Sequence, residues 1–264
     1  MVAIAINTLK EFLRNKILYA IVWLAVILIL FSIILVQLTI TQTDKVFIDS
    51  ALTIIEIFAL ITTLFLWSYL LYNEIQKNTI LLILSKNPSR ANFIIWKFLG
   101  FSILIFLIYI IFTIAFVLAW LFLKYKMGVH INLLNKYYYL AIYLSFLKIL
   151  VLLAFIIFFS TFVSPFIVLL VSIGIYIISH SLSFVKFYLV AAKKLSPDSV
   201  GYKIMDVFYY IFPNFQDLSL KEYLLSPYLG DYNFYHIVIS SLSSLWYIVI
   251  LLILAVLIFN KREF

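Results

Sequence analysis

Six apolar stretches, each long enough to cross a membrane, constrain the fold of this 264-residue chain more than any other feature. A helix needs about 20 apolar residues to span the hydrocarbon core of a bilayer. The stretches that reach this length are residues 17–38, 51–72, 98–123, 137–163, 165–185 and 237–259. They follow one another along the whole chain. The sequence therefore predicts an all-α integral membrane protein with six transmembrane helices in a single membrane-spanning domain over residues 1–264.

Composition supports lipid as the solvent for most of the chain. Hydrophobic residues make up 66% of the sequence and charged residues only 11%, whereas soluble domains are about half apolar and a quarter charged. The first apolar stretch is longer than the core of a secretory signal and lacks a small-residue cleavage site, so we expect it to be a retained span.

Charge and metal-ligating residues exclude several classes of function. The net charge is +8, but the basic residues flank the apolar stretches, which is typical of membrane topology and not of a nucleic-acid surface. The chain has no cysteine, which excludes disulfides and thiolate metal sites. His130, His180 and His236 are far apart in sequence and form no metal-binding motif. We expect no nucleic-acid partner, no metal and no cofactor in this chain.

Basic residues also predict the orientation. With the N-terminus in the cytoplasm, nine Lys and Arg residues fall on each side, but all three arginines fall inside. Three basic residues precede the first span and one follows it, and the first helix usually dominates. We therefore expect both termini to be cytoplasmic. Thr8 and Glu11 have the spacing of a capping box, which predicts a short interfacial helix before the first span.

The loop at 186–236, predicted to lie outside, is unusually aromatic for a connection between spans. Its aromatic residues include Tyr202, Phe208, Tyr209, Tyr210, Phe212, Phe215, Tyr223, Tyr228, Tyr232, Phe234 and Tyr235. Aromatic rings favour the membrane interface. Ser219 and Glu222 again have capping-box spacing, which predicts a helix at 220–225. We expect two short helices in this loop, packed at the outer interface.

The segment between the second and third spans carries the densest charge on the predicted cytoplasmic side, yet its middle is apolar. This pattern predicts an amphipathic helix at the inner surface, a turn at Pro88 and a new helix that begins at Ser89. The alternative is an ordinary re-entry loop with basic flanks.

Residues of this same segment resemble the signature between spans two and three of ABC-2 type transporter permeases. Those that carry the resemblance are Glu74, Thr79, Leu84, Ser85, Pro88, Ser89, Arg90, Phe93, Lys97 and Gly100. The match is closest to the branch named for multi-copper enzyme maturation. Looser matches lie at 55–58, 179–182, 212–215 and 260–264, so the resemblance extends over essentially the whole chain.

The resemblance implies a subunit that pairs with a second permease subunit, as a homodimer or heterodimer, and is driven by a separate cytoplasmic ATPase. The ATP and Mg²⁺ would be bound by that partner, because the chain has no Gly-x4-Gly-Lys-Ser/Thr phosphate loop. The coupling segment pressed against the ATPase would contain Glu74, Thr79, Ser85, Pro88, Ser89, Arg90 and Lys97.

Two spans carry polar residues at helical spacing, which are candidates to line a translocation path. They are Thr53, Glu56 and Thr63 in the second span, and Ser172, Tyr176, Ser179 and Ser183 in the fifth. The alternative is that the hydroxyls only satisfy neighbouring backbone groups. Glu56 differs, because a carboxylate in a membrane costs about 2.5 kcal/mol or more unless it is paired or wet. Counted from residue 51, Glu56 lies about 8 Å into its span, which favours an outer vestibule.

Lys148 is the one basic residue inside an apolar stretch. Its long side chain favours snorkelling toward the Tyr137 interface. The alternatives are a pair with Glu56 or a contact with an acidic substrate.

Together these features predict a permease subunit of an ABC exporter in the plasma (inner) membrane, not an enzyme. The alternatives are an accessory membrane anchor without transport, or an intramembrane enzyme. An enzyme would need converging catalytic residues in the inner half of the spans, and the sequence contains none.

Overall fold

The computed structural model describes residues 6, 8–10, 13–39, 43–76, 90–127, 136–191, 200–225 and 234–261. Every regular element in these ranges is helical. The helices are α1 (Lys16–Gln37), α2 (Thr43–Gln76), α3 (Arg90–Met127), α4 (Lys136–Ser160), α5 (Pro165–Ala191), α6 (Val200–Ile211), α7 (Lys221–Leu225) and α8 (Phe234–Lys261).

The prediction of six spans is confirmed. Helices α1, α2, α3, α4, α5 and α8 are each long and apolar enough to cross a membrane. The predicted bounds are too short for α2 and α3, which contain 34 and 38 residues. Helices of this length measure about 50–57 Å and extend beyond a hydrocarbon core of about 30 Å. Apolarity marks the part of a helix that lipid can cover, whereas the backbone hydrogen bonds continue into the polar flanks.

The connection between α4 and α5 is a tight turn, as the Ser164-Pro165 pair predicts. The amide of Val163 donates to the carbonyl of Phe159 at 2.9 Å, which closes α4. Pro165 then occupies the first position of α5, where its missing N–H costs nothing. The Val168 amide donates to the Ser164 carbonyl at 3.0 Å.

The alternation of the six spans defines two ends of the bundle. At the loop end, α1, α3 and α5 finish and α2, α4 and α8 begin; at the terminus end, α1 begins and α8 finishes. Near the terminus end, the rings of Phe93 and Phe259 stack with centroids 6.0 Å apart. At the loop end, Tyr137 of α4 contacts Tyr223 of α7 with ring centroids 5.3 Å apart. Which end faces the cytoplasm stays a prediction.

The two short helices predicted in the 186–236 loop are confirmed in its described part. They are α6 and α7, and α7 begins one residue after the predicted start. Phe215 and Leu220, which flank the connection from α6 to α7, are 0% and 1% exposed, so this connection packs into the bundle. Phe208 of α6, by contrast, is 47% exposed, as an apolar side chain at a lipid interface would be.

Helix α4 is the centre of the bundle. Within an apolar window of 18 residues of its span 78% are buried, against 22% for α1 and 28% for both α5 and α8. It packs against α2, α3, α5, α7 and α8. Small residues are fully buried in the helices of the bundle, among them Ala25, Ala51, Ala119 and Ala255, and small side chains allow helices to approach closely. A charged side chain on α4 therefore requires an oppositely charged or hydrogen-bonding group within the bundle.

Candidate functional site

Three polar residues of α2 lie on one side of the helix and run inward from the loop end. Asp49, Thr53 and Glu56 are spaced four and three residues apart, which places them on one face. The Thr53 hydroxyl donates to the Asp49 carbonyl at 2.6 Å. Because α2 begins at Thr43, Glu56 lies 13 residues from its start, or about 20 Å along the axis. The eight residues before the apolar stretch thus also belong to α2, and the depth of Glu56 in a bilayer stays a prediction.

The carboxylate of Glu56 joins three spans. Lys148 Nζ of α4 donates to Glu56 Oε1 at 2.6 Å, and the hydroxyl of Tyr176 of α5 donates to the same oxygen at 2.6 Å. The Lys148 side chain is 1% exposed and the Glu56 side chain 15% exposed. The ammonium is thus sealed inside the bundle, while the carboxylate keeps some access to solvent.

This geometry decides between the interpretations of Lys148. Snorkelling is wrong: the ammonium stays among the spans, and the alternative of a pair with Glu56 is confirmed. An unpaired buried charge would cost several kcal/mol, so the nearby carboxylate outweighs the distant interface.

A segment of the chain, residues 212–221, covers Glu56 from the loop end; we call it the covering segment. The Phe215 amide donates to the carbonyl of Ser179 at 3.1 Å, which ties the segment to α5. At its other end Lys221 Nζ contacts Asp49 Oδ1 at 2.6 Å and also donates to the Thr53 hydroxyl, which ties it to α2. The covering segment therefore bridges the two helices that carry the predicted polar residues.

Local bonds hold the covering segment in shape. Asn214 accepts from the Gln216 amide at 3.1 Å through its side-chain oxygen, and its amide nitrogen donates to the Tyr209 hydroxyl at 3.2 Å. Burial raises the pKa of Asp217, although a hydrogen bond from Asn214 opposes this shift. Residues 212–215, one of the stretches with a looser family resemblance, thus belong to a hydrogen-bonded connection beside the cavity.

A cavity of about 370 Å³ lies between α2, α5 and the covering segment. Its lining residues are Asp49, Thr53, Glu56, Ile57, Tyr176, His180, Gln216, Ser219 and Lys221. A second space of about 20 Å³ borders Glu56, Ser145 and Lys221, enough for about one water molecule. The rings of Tyr176 and His180 are stacked, with centroids 6.1 Å apart and planes 3° apart. This is a polar, charged cavity inside a bundle whose outer surface is apolar.

Of the seven residues predicted to line a path, Thr53, Glu56 and Tyr176 border this cavity. Thr63 and Ser172 instead donate to backbone carbonyls of their own helices, Ala59 at 2.8 Å and Val168 at 2.7 Å. These two bonds are those that the alternative of backbone satisfaction predicts, and Thr53 makes the same kind of bond while it borders the cavity. The hydroxyls of Ser179 and Ser183 are buried and have no hydrogen-bond partner among the described residues.

Most of the predicted coupling segment lies outside the described residues. Thr79, Ser85, Pro88 and Ser89 fall there entirely, while the backbones of Glu74 and Arg90 belong to α2 and α3. Lys97 is 3% exposed, and its ammonium lies 4.9 Å from the centroid of the Phe93 ring. The role of this segment in coupling stays a prediction.

The sequence did not single out Lys221, His180, Gln216 or Ser219 as site residues. A signal for Lys221 was present, since the predicted helix at 220–225 and Asp49 belong to the same end of a six-span bundle. No group of three or more His, Cys, Asp or Glu that would hold a metal occurs in the described ranges.

The fold defines the chain as an all-α, multi-pass integral membrane protein. Comparison with protein-family models gives no match, and no curated protein is significantly similar in sequence.

Proposed function

We propose that the chain is the permease subunit of an ABC-type exporter in the plasma membrane, paired with a second permease subunit and driven by a separate cytoplasmic ATPase. The observation that carries the proposal is the charged cavity between α2, α5 and the covering segment. Ionisable residues inside membrane spans are costly and typically mark pathways for substrates or ions. A chain that served only as an anchor would have no use for them.

Helix α2 offers a physical link between the ATPase and the cavity. It runs without interruption from Thr43 to Gln76, so one rigid element holds both Asp49 and Glu74. These residues are 25 positions apart, or about 38 Å along the helix. Closure of the ATPase on the segment after Gln76 would push α2 along its axis or tilt it. Because Glu56 is bonded to α4 and α5, such a movement would reshape the cavity.

The covering segment would then respond to the same movement. It is bonded to α2 through Lys221 and to α5 through Phe215. A relative displacement of α2 and α5 must break or lengthen one of these contacts. In the proposed cycle this opens the cavity at the loop end, which would face outward if the termini are cytoplasmic.

The rival proposal is an accessory anchor, which the apolar faces of α1, α5 and α8 would also suit. The discriminating experiment is affinity purification of the tagged chain from its native membranes in a mild detergent. The exporter proposal predicts a stoichiometric ATPase subunit with ATP hydrolysis in the eluate. Recovery of the chain alone, or with partners that lack nucleotide-binding domains, would reject it in favour of the anchor.

A further inference from the structure

The hydrogen-bonding capacity of the cavity is only partly used. Glu56 Oε1 accepts from both Lys148 and Tyr176, but no described residue donates to Oε2. This second oxygen belongs to a carboxylate that borders the cavity. Toward the loop end, the Lys221 ammonium has three N–H donors and uses two of them, on Asp49 and Thr53. An acceptor deep in the cavity therefore lies below a donor at its mouth.

The carboxylates and ammonium groups at the cavity are equal in number. Asp49 and Glu56 carry two negative charges, and Lys148 and Lys221 carry two positive charges. A ligand with a net charge would place an uncompensated charge beside the buried Glu56–Lys148 pair, which is costly. A guest that carries one charge of each sign would match both ends without that cost.

The side chains that line the cavity beside Glu56 are suited to bind the cationic group of such a ligand. The stacked rings of Tyr176 and His180 both border the cavity beside Glu56. Ammonium groups bind favourably near aromatic faces and carboxylates together. The volume of about 370 Å³ lies at the lower end for ligand pockets, so the guest, or the part of it that enters, is small.

We infer that this cavity binds a small zwitterion, an ammonium group with a neighbouring phosphate or carboxylate. The ammonium meets Glu56 Oε2 and the Tyr176 ring, and the anionic group meets Lys221. The inference rests on the proposed function, for which it names the substrate class.

Two sources share this chemistry: a free zwitterion and the head of a zwitterionic phospholipid. Ile57 borders the cavity and is also 47% exposed on the apolar surface of the bundle, so the cavity reaches toward lipid. The test must therefore examine both sources.

The first arm measures binding of phosphoethanolamine by calorimetry to the purified chain in nanodiscs of phosphatidylglycerol, which has no ammonium group. The second arm counts retained phosphatidylethanolamine by native mass spectrometry after purification from mixed-lipid nanodiscs. Ethanolamine and inorganic phosphate, each with one kind of charge, serve as ligand controls. The ATPase is not needed, so failure here is distinguishable from failure of the proposed exporter function.

Two variants and one control make the test specific. Lys221→Gln removes the donor at the mouth. The double variant Glu56→Gln/Lys148→Met removes the buried pair together, so no unpaired charge is left to prevent folding. Each should weaken binding about tenfold, the value of one charge-assisted hydrogen bond. Lys124→Gln, at the loop end but outside the cavity, should bind like the unmodified chain.

Binding of free phosphoethanolamine that both variants weaken would support the inference with a soluble ligand. Retention of phosphatidylethanolamine that both variants weaken would support it with a lipid. The inference is overturned if neither probe binds, if the variants bind as tightly as the unmodified chain, or if ethanolamine or phosphate alone binds as well as the zwitterion.

Discussion

Substitution of Glu56 alone and substitution of Lys148 alone should lower the free energy of unfolding by different amounts. Glu56→Leu leaves a lysine that is 1% exposed without its carboxylate, whereas Lys148→Met leaves a carboxylate that is 15% exposed and keeps the Tyr176 hydroxyl. Removal of one partner of a buried pair costs about 3–5 kcal/mol. We expect Glu56→Leu to reach that range and Lys148→Met to cost about 2–3 kcal/mol, because Glu56 retains solvent and a donor.

The double variant Glu56→Leu/Lys148→Met should be nearly as stable as the unmodified chain. Replacing both charges with apolar groups of similar volume is often neutral or stabilising. The two single effects would therefore fail to add, and the coupling energy should approach their sum, about 5–8 kcal/mol.

The assay is thermal unfolding in detergent, followed by intrinsic fluorescence and by recovery on size exclusion. For a chain of this size, 1 kcal/mol corresponds to a change of about 2–4 °C in Tm. Glu56→Leu should thus lower Tm by roughly 10 °C, and the double variant by much less. Equal single effects that add in the double variant would refute the buried pair.

Three further predictions concern other parts of the molecule. Phe215→Ala should cost about 3–5 kcal/mol in the same unfolding assay, because this residue of the covering segment is fully buried. In the cysteine-free chain, Asn87→Cys should react with an impermeant maleimide only after the cells are opened. Glu74→Ala/Arg90→Ala should leave the protein inserted and dimeric but reduce co-purification of the ATPase or its hydrolysis rate.

Each of these has a matched control. Phe208→Ala, which removes a ring that is 47% exposed, should change Tm little. Tyr125→Cys, at a residue that is 95% exposed near the loop end, should react in intact cells. Lys45→Ala/Lys124→Ala, at the loop end, should leave the ATPase bound. Reaction of Asn87→Cys with the reagent in intact cells would contradict the predicted orientation. Normal ATPase association and hydrolysis in the Glu74→Ala/Arg90→Ala variant would favour the re-entry loop.

The spans could be predicted from the sequence because an apolar run of about 20 residues has few other stable environments. The turn between α4 and α5 was equally accessible, since Pro165 cannot continue a hydrogen-bonded helix. The lengths of α2 and α3 were underestimated because their polar flanks are helical without being apolar.

The cavity was harder to predict, because its residues come from distant parts of the chain. Glu56 is 92 residues from Lys148 and 120 from Tyr176, and Thr53 is 168 from Lys221. The apolar sequence of α4 has no distinct polar face. The spacing of its residues therefore did not indicate which neighbouring helix Lys148 faces. The pair follows from the packing of α4 at the centre of the bundle, which depends on all the other helices together.

The central claim, that an ATPase acts through α2 on the cavity, is tested most directly by locking the cavity and measuring ATP hydrolysis. Asp49→Cys/Lys221→Cys places two thiols at the contact between α2 and the covering segment, and a short bis-methanethiosulfonate reagent would join them reversibly. In the reconstituted complex with its ATPase, we predict that hydrolysis falls when the cross-link forms and recovers when a reductant removes it. Hydrolysis by either single cysteine variant should not change when the reagent is added. An unchanged hydrolysis rate in the fully cross-linked complex would contradict the account.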